Sequence, residues 1–88
     1  MENLNALRES LDNIDQAFIF LLAERFRVTQ KIGKYKSNYG LPALEEARER
    51  TQFEQIGKLA QEKGLNPELI HKMYRLIIDE VIESHQAL

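Results

Sequence analysis

The 88-residue chain contains no cysteine and no tryptophan, and it has only four glycines and two prolines. Without cysteine there is no disulfide framework, no thiol nucleophile and no thiolate metal site. Scarce glycine and proline argue against an all-β protein, which would need many turns. A basic excess is also missing. Twelve Lys plus Arg face fourteen Asp plus Glu, for a formal net charge of −2, so no nucleic-acid partner is expected. No apolar run approaches the roughly 18 residues needed to span a bilayer. The longest, Ala17 to Ala23, has the length of a helix core, so no membrane partner is expected either. The start of the chain, Met1 to Asn5, has no basic region leading into an apolar run. The expected setting is therefore the cytoplasm. His71 and His85 do not have metal-ligand spacing, and Gly33, Gly40 and Gly64 are isolated rather than clustered in a phosphate loop. No Ser-His-Asp or Cys-His constellation can be assembled. Neither a metal nor a cofactor is expected.

What is present fits a small globular protein. The chain is 43% hydrophobic and 30% charged, too apolar for disorder and too charged for a membrane. Its length corresponds to a single domain over residues 1–88. A monomer this short buries only a modest share of its surface, which makes oligomerisation an expectation.

The periodicity predicts an all-α fold of three helices, one very long and two shorter. Leu4, Leu7, Leu11, Ile14, Phe18, Leu21, Arg25, Val28, Ile32 and Tyr35 recur in alternating steps of three and four, a heptad seam. A continuous helix from Leu4 to Lys36 would be roughly 50 Å long, more than a compact domain of this size spans. Such a seam needs a partner along its whole length. Gly40 and Pro42 end the first helix. A second helix is predicted from about Leu44 to Gln61, with its apolar residues Phe53, Ile56, Leu59 and Ala60 confined to the later half. Lys63-Gly64 ends it. Asn66, Pro67 and Glu68 read as N-cap, first-turn proline and early acid of a third helix, from about Pro67 to His85.

Arg25 breaks the pattern, because it occupies a seam position among apolar side chains. A guanidinium there must reach solvent, a carboxylate or an anionic ligand. Lys36 follows eleven residues later, almost three whole turns, on the same helix face and roughly 16 Å along the axis. Two long cationic side chains at that spacing can bracket a small dianion, although a lysine near a helix C-terminus also serves simply as a dipole partner. Glu45, Arg48, Glu49 and Gln52 share one polar face of the second helix, which reads equally well as a salt-bridged surface. Arg8, beside the seam at Leu7, matters only if another chain lies there. His85 and Gln86 follow the apolar run of the third helix, and His71 reads as a surface residue.

In order along the chain, Leu7-Arg8, Leu21-Leu22-Ala23-Glu24-Arg25, Ile32-Gly33-Lys34-Tyr35-Lys36, and Pro42 followed by Arg48-Glu49-Arg50 resemble the all-helical chorismate mutases, the AroQ class. Leu76-Ile77-Ile78 and His85-Gln86-Ala87-Leu88 continue the match over nearly the whole chain. The resemblance implies a chorismate mutase type II domain folded as an intertwined helical homodimer, with paired first helices and sites shared between protomers. It implies the Claisen rearrangement of chorismate to prephenate in aromatic amino acid biosynthesis, an isomerase reaction without cofactor. By position, Arg8 resembles the arginine that reaches into the neighbouring protomer's site, and Arg25 the second carboxylate-binding arginine. Lys36 is similar to the lysine that donates to the ether oxygen of the breaking bond. Glu45 stands where the family commonly has Asp, while Arg48 and Glu49 match an Arg-Glu pair whose Glu holds the ring hydroxyl.

The third helix departs from that pattern. Val81 stands in place of a small polar residue, and His85 in place of the Gln that bonds the ether oxygen, with Gln86 one residue later. Both His85 and Gln86 stay candidates for that contact. Isochorismate-pyruvate lyase and amino-deoxychorismate mutase share the scaffold and are the alternatives within the fold. A helical dimerisation module is the non-enzymatic one, and it leaves Arg25 unexplained.

Overall fold

The structure is a computed structural model that describes residues 3–87. Met1, Glu2 and Leu88, the last of which closes the terminal motif, lie outside the described residues. Three helices make up the chain: α1 (Leu4–Asn38), α2 (Glu46–Glu62) and α3 (Pro67–Gln86). The starts of α1 and α3 have local causes. The side chain of Asn3 accepts a hydrogen bond from the Ala6 amide at 2.8 Å and caps α1, satisfying an N–H that the first turn leaves free. Asn66 caps α3 in the same way, accepting from the Glu68 amide at 3.0 Å, with Pro67 in the first turn.

α1 and α2 end alike. The Leu41 amide donates to the Lys36 carbonyl at 2.8 Å, and the Leu65 amide to the Ala60 carbonyl, also at 2.8 Å. These six-to-one bonds wrap around Gly40 and Gly64, whose φ values are +66° and +72°. The left-handed conformation that this closure needs is one a glycine adopts without a Cβ clash. Two short loops thereby fold the chain back on itself twice.

α3 packs against both α1 and α2. Among the described residues the buried ones are Gly33, Ala60 and Ile78, a very small core. The molecule measures 57 × 23 × 15 Å, with a radius of gyration of 16.5 Å. A compact chain of this length would have a radius of gyration of about 12 Å. The excess length is α1, which at about 1.5 Å per residue is roughly 52 Å long. Residues 3–21 are all exposed, and the first half-buried position of α1 is Leu22.

One sequence expectation needs correction here. α2 begins at Glu46 rather than Leu44, because residues 43–45 are drawn into contacts with Lys36 and leave the helical path. The heptad seam, expected to need a partner along its whole length, is left open by the rest of this chain. Leu11, Ile14 and Phe18 are exposed, and so are Val28 and Tyr35. From Arg25 onward the inward stripe of α1 is Arg25, Thr29, Ile32 and Lys36, one residue out of step with the expected Val28 and Tyr35.

Candidate active site

Where α1, the 39–45 loop, α2 and α3 meet, they enclose a cavity of about 290 Å³, at the small end of ligand cavities. α1 supplies Arg25, Thr29, Ile32 and Lys36, and the loop adds Glu45. α2 contributes Arg48, Glu49 and Gln52, while α3 contributes Ile78, Val81, Ile82 and His85. The fold thus gathers into one place the residues that broke the apolar pattern of three separate helices.

The arginine of the seam resolves plainly. The Arg25 guanidinium lies over the Tyr74 ring, 5.5 Å from its centroid, a cation–π contact that supports the charge without neutralising it. Its Nη1 is buried and has no hydrogen-bond partner among the described residues. A buried guanidinium N–H left without an acceptor is costly, and no described residue supplies one here.

Lys36 is two-thirds committed. Its Nζ donates to the Ala43 carbonyl at 3.1 Å and pairs with Glu45 Oε1 at 3.0 Å. An ammonium has three N–H donors, and one is left for a ligand. The two spent bonds clasp the loop to the end of α1. Glu45, expected on the polar face of the second helix, sits at the N-cap of α2 without capping it and serves this clasp instead.

His85 is fixed from outside. Its Nε2 lies 2.8 Å from the Thr29 carbonyl oxygen, an atom that only accepts, so Nε2 carries the proton. Nδ1 is buried and has no partner among the described residues. It accepts in the neutral ring and donates in the imidazolium. Gln86 is exposed and lines a neighbouring cleft with Gly33 and Ser37. That cleft adjoins the cavity and shares Lys36 and His85 with it; of the two candidates on α3, His85 lines the cavity itself and Gln86 does not. Val81 faces the same cavity as an apolar wall.

Glu49 is held from behind. Its Oε1 is hydrogen-bonded and ion-paired to Arg75 Nη1 on α3. Arg75 is anchored in turn by Asp79, which accepts from Nε at 2.9 Å and pairs with Nη2 at 2.6 Å. The hydrogen bond to Glu49, and after it the one to Asp79, keeps the Arg75 guanidinium protonated well above its ordinary range. Arg75 and Thr29 are the residues sequence reasoning missed. Thr29 was discoverable, lying four residues after Arg25 and seven before Lys36 on the same helix face.

Arg8 stands apart. It belongs to the exposed half of α1, seventeen residues before Arg25 and so about 25 Å away along the axis. It does not line its own chain's cavity.

The chain matches the family model described as chorismate mutase type II over residues 7–86. It belongs to this family. It is 36% identical over 81 residues to the T-protein of Enterobacter agglomerans, covering 92% of this chain and 22% of that one. It is 42% identical over 92 residues to the bifunctional chorismate mutase/prephenate dehydratase of Aquifex aeolicus, covering 100% of this chain and 25% of the relative. The chorismate mutase of Methanocaldococcus jannaschii is 27% identical over 79 residues, covering 90% of this chain and 80% of the archaeal protein. The chain thus spans about a quarter of the length of the two larger relatives. Among the described residues no helix is long and apolar enough to cross a membrane.

Proposed function

We propose that this chorismate mutase family chain converts chorismate to prephenate, and that it does so as a homodimer whose sites draw on both protomers. The observation that carries the reading is the set of cationic and polar side chains that line one cavity, Arg25, Lys36, Arg48 and His85. They suit a small dianion that carries an ether oxygen.

The reaction is a unimolecular rearrangement. The C–O bond between ring and enolpyruvyl group breaks while a C–C bond forms between the enolpyruvyl methylene and the ring. No proton, electron or group leaves the molecule. The protein therefore has two tasks. Arg25, with Arg8 of a second protomer, would anchor the carboxylates and hold the arm over the ring, lowering the entropic part of the barrier. Lys36 and His85 would face the ether oxygen, where negative charge grows as the bond lengthens. Donors fixed in advance stabilise that charge without reorganising. Arg48 and Glu49 complete the binding set, Glu49 accepting from the ring hydroxyl.

The second protomer is supported by the open seam of α1. A stripe of leucine, isoleucine and phenylalanine from Leu4 to Leu21, about 26 Å long, repeating as a heptad and left exposed by its own chain, is complementary to another copy of itself. Pairing there would also carry Arg8 away from its own chain's cavity toward another. The proposed setting is the cytoplasm, consistent with a chain that has no cysteine for disulfide formation.

The test is an assay of the purified protein with chorismate, isochorismate and amino-deoxychorismate, each followed to identified products, together with Lys36→Ala. Prephenate from chorismate is the expected outcome, with kcat of the variant reduced by about two orders of magnitude or more and KM changed far less, as for a contact that strengthens in the transition state. Turnover of none of the three would leave the dimerisation module, and an unchanged kcat would remove Lys36 from the chemistry.

A further inference from the structure

The proposed reaction leaves Arg75 without a task, yet it is the most heavily engaged charged residue around the site. It does not line the main cavity. It lines the neighbouring cleft, which shares Glu49 with that cavity. Glu49 is therefore a wall between the two, and Arg75 grips it from the far side. The grip is braced on three sides: Glu49 on Nη1, Asp79 on Nε and Nη2, and the Phe53 ring beneath the guanidinium at 5.1 Å. Phe53 is itself backed by His71, with ring centroids 4.4 Å apart.

This arrangement has two chemical effects. With Oε1 committed to Arg75, Oε2 is the oxygen left for a ligand, and the rotation of the carboxylate is restricted. The guanidinium also offsets the charge of Glu49. A bare carboxylate prefers an ammonium. A carboxylate already paired with a cation keeps its ability to accept from a neutral hydroxyl but loses much of that preference.

We infer that Arg75 is a positioning and specificity-determining residue, which aims Glu49 at the ring substituent of the substrate and tunes that position for a neutral hydroxyl over an ammonium. The inference rests on the proposed role of Glu49 as acceptor for that substituent. It answers a question the sequence left open, because chorismate and 4-amino-4-deoxychorismate differ at this group.

The experiment compares kcat and KM for these two substrates in the wild-type chain, Arg75→Gln, Arg75→Lys, Glu49→Gln and the Arg75→Gln/Glu49→Gln double variant, with folding checked by circular dichroism and melting. Since Arg75 is partly exposed, its effect is moderated by solvent. The amino-to-hydroxy ratio of kcat/KM should rise roughly five- to tenfold in Arg75→Gln. The loss toward chorismate should lie in KM, because the ring hydroxyl is remote from the breaking bond and is held equally before and during reaction. In the Glu49→Gln background, Arg75→Gln should leave the ratio unmoved. A merely structural role would depress both substrates alike, and an unchanged ratio in a folded Arg75→Gln enzyme overturns the specificity claim. A ratio that shifts just as much without Glu49 overturns the route through Glu49. Arg75→Lys keeps the charge but not the fork, so it should raise KM for chorismate several-fold with little change in the ratio. Wild-type constants in that variant would overturn the positioning claim even if Arg75→Gln failed to fold. A wild-type chain that turns over neither substrate would instead defeat the proposed reaction.

Discussion

Residues 4–21 of α1 carry Leu4, Leu7, Leu11, Ile14, Phe18 and Leu21, and every one of them is exposed. From Leu22 to Lys36 the same helix includes half-buried and buried positions, and its inward stripe is Arg25, Thr29, Ile32 and Lys36. The more apolar half is thus the bare one, and the half that α3 covers is the more polar. Along α1, hydrophobicity does not mark where the chain folds on itself. Under the proposed dimer it marks where burial would come from a second copy, while the polar stripe lines the cavity that the chain's own helices form.

The largest effect that could break this contrast is expected from Ile14→Glu. Ile14 is 63% exposed, and on a solitary chain the substitution would change stability by no more than about 0.5 kcal/mol. In a paired seam it would place carboxylates in an apolar interface, at a cost of several kcal/mol. Light scattering should show a shift from dimer to monomer, and the melting temperature should fall by about 10 °C or more. A variant that stays dimeric and melts like the wild type would mean that the bare half is not an interface.

Next in size is the pair Arg8→Ala and Arg25→Ala. Each alone should lose nearly all activity while remaining folded, since Arg8 is exposed and Arg25 lies at the cavity. Mixing the two under conditions of subunit exchange should restore a fraction of the rate, because a hybrid dimer has one site with both arginines intact. Demonstrated exchange with no recovered activity would show that the two halves of α1 do not serve a common site.

The smallest expected effect concerns the covered half alone. His85 lines the cavity, and its Nε2 donates to the Thr29 carbonyl. His85→Ala should lower kcat several-fold with little change in KM, as for the loss of one polar group beside the ether oxygen. A folded variant with the wild-type kcat would assign the ether contact to Lys36 alone.

Much of the fold was legible because its causes are local. Asn66-Pro67 and the glycines at 40 and 64 act within a turn of themselves, so the loops and the start of α3 fell where expected. The start of α2 was misjudged because Lys36 pulls Ala43 and Glu45 out of the helix from seven or more residues away, and periodicity carries no trace of that contact. The site was legible in its ionic residues, which stand out against apolar neighbours. Arg75 does not stand out. Its spacing to Asp79 reads as an ordinary surface pair, and its bond to Glu49 crosses 26 residues between helices. That His85 lines the cavity and Gln86 does not likewise depends on the rotation of α3, since adjacent residues on a helix differ by about 100°.

The unbroken length of α1 has a consequence for how this protein tolerates change. Successive residues advance by about 100° around a helix, so the seventeen positions from Arg8 to Arg25 set a fixed angular phase as well as a distance. Adding one residue within the exposed stretch, for example beside Phe20, would disturb nothing that its own chain packs. It would nevertheless turn Arg8, and every seam residue before it, by about 100° relative to the cavity. Adding seven would nearly restore the phase, with a drift of about 20°, while lengthening the helix by roughly 10 Å. In the proposed shared site, the number of residues between Arg8 and Arg25 would therefore matter as much as the arginines themselves.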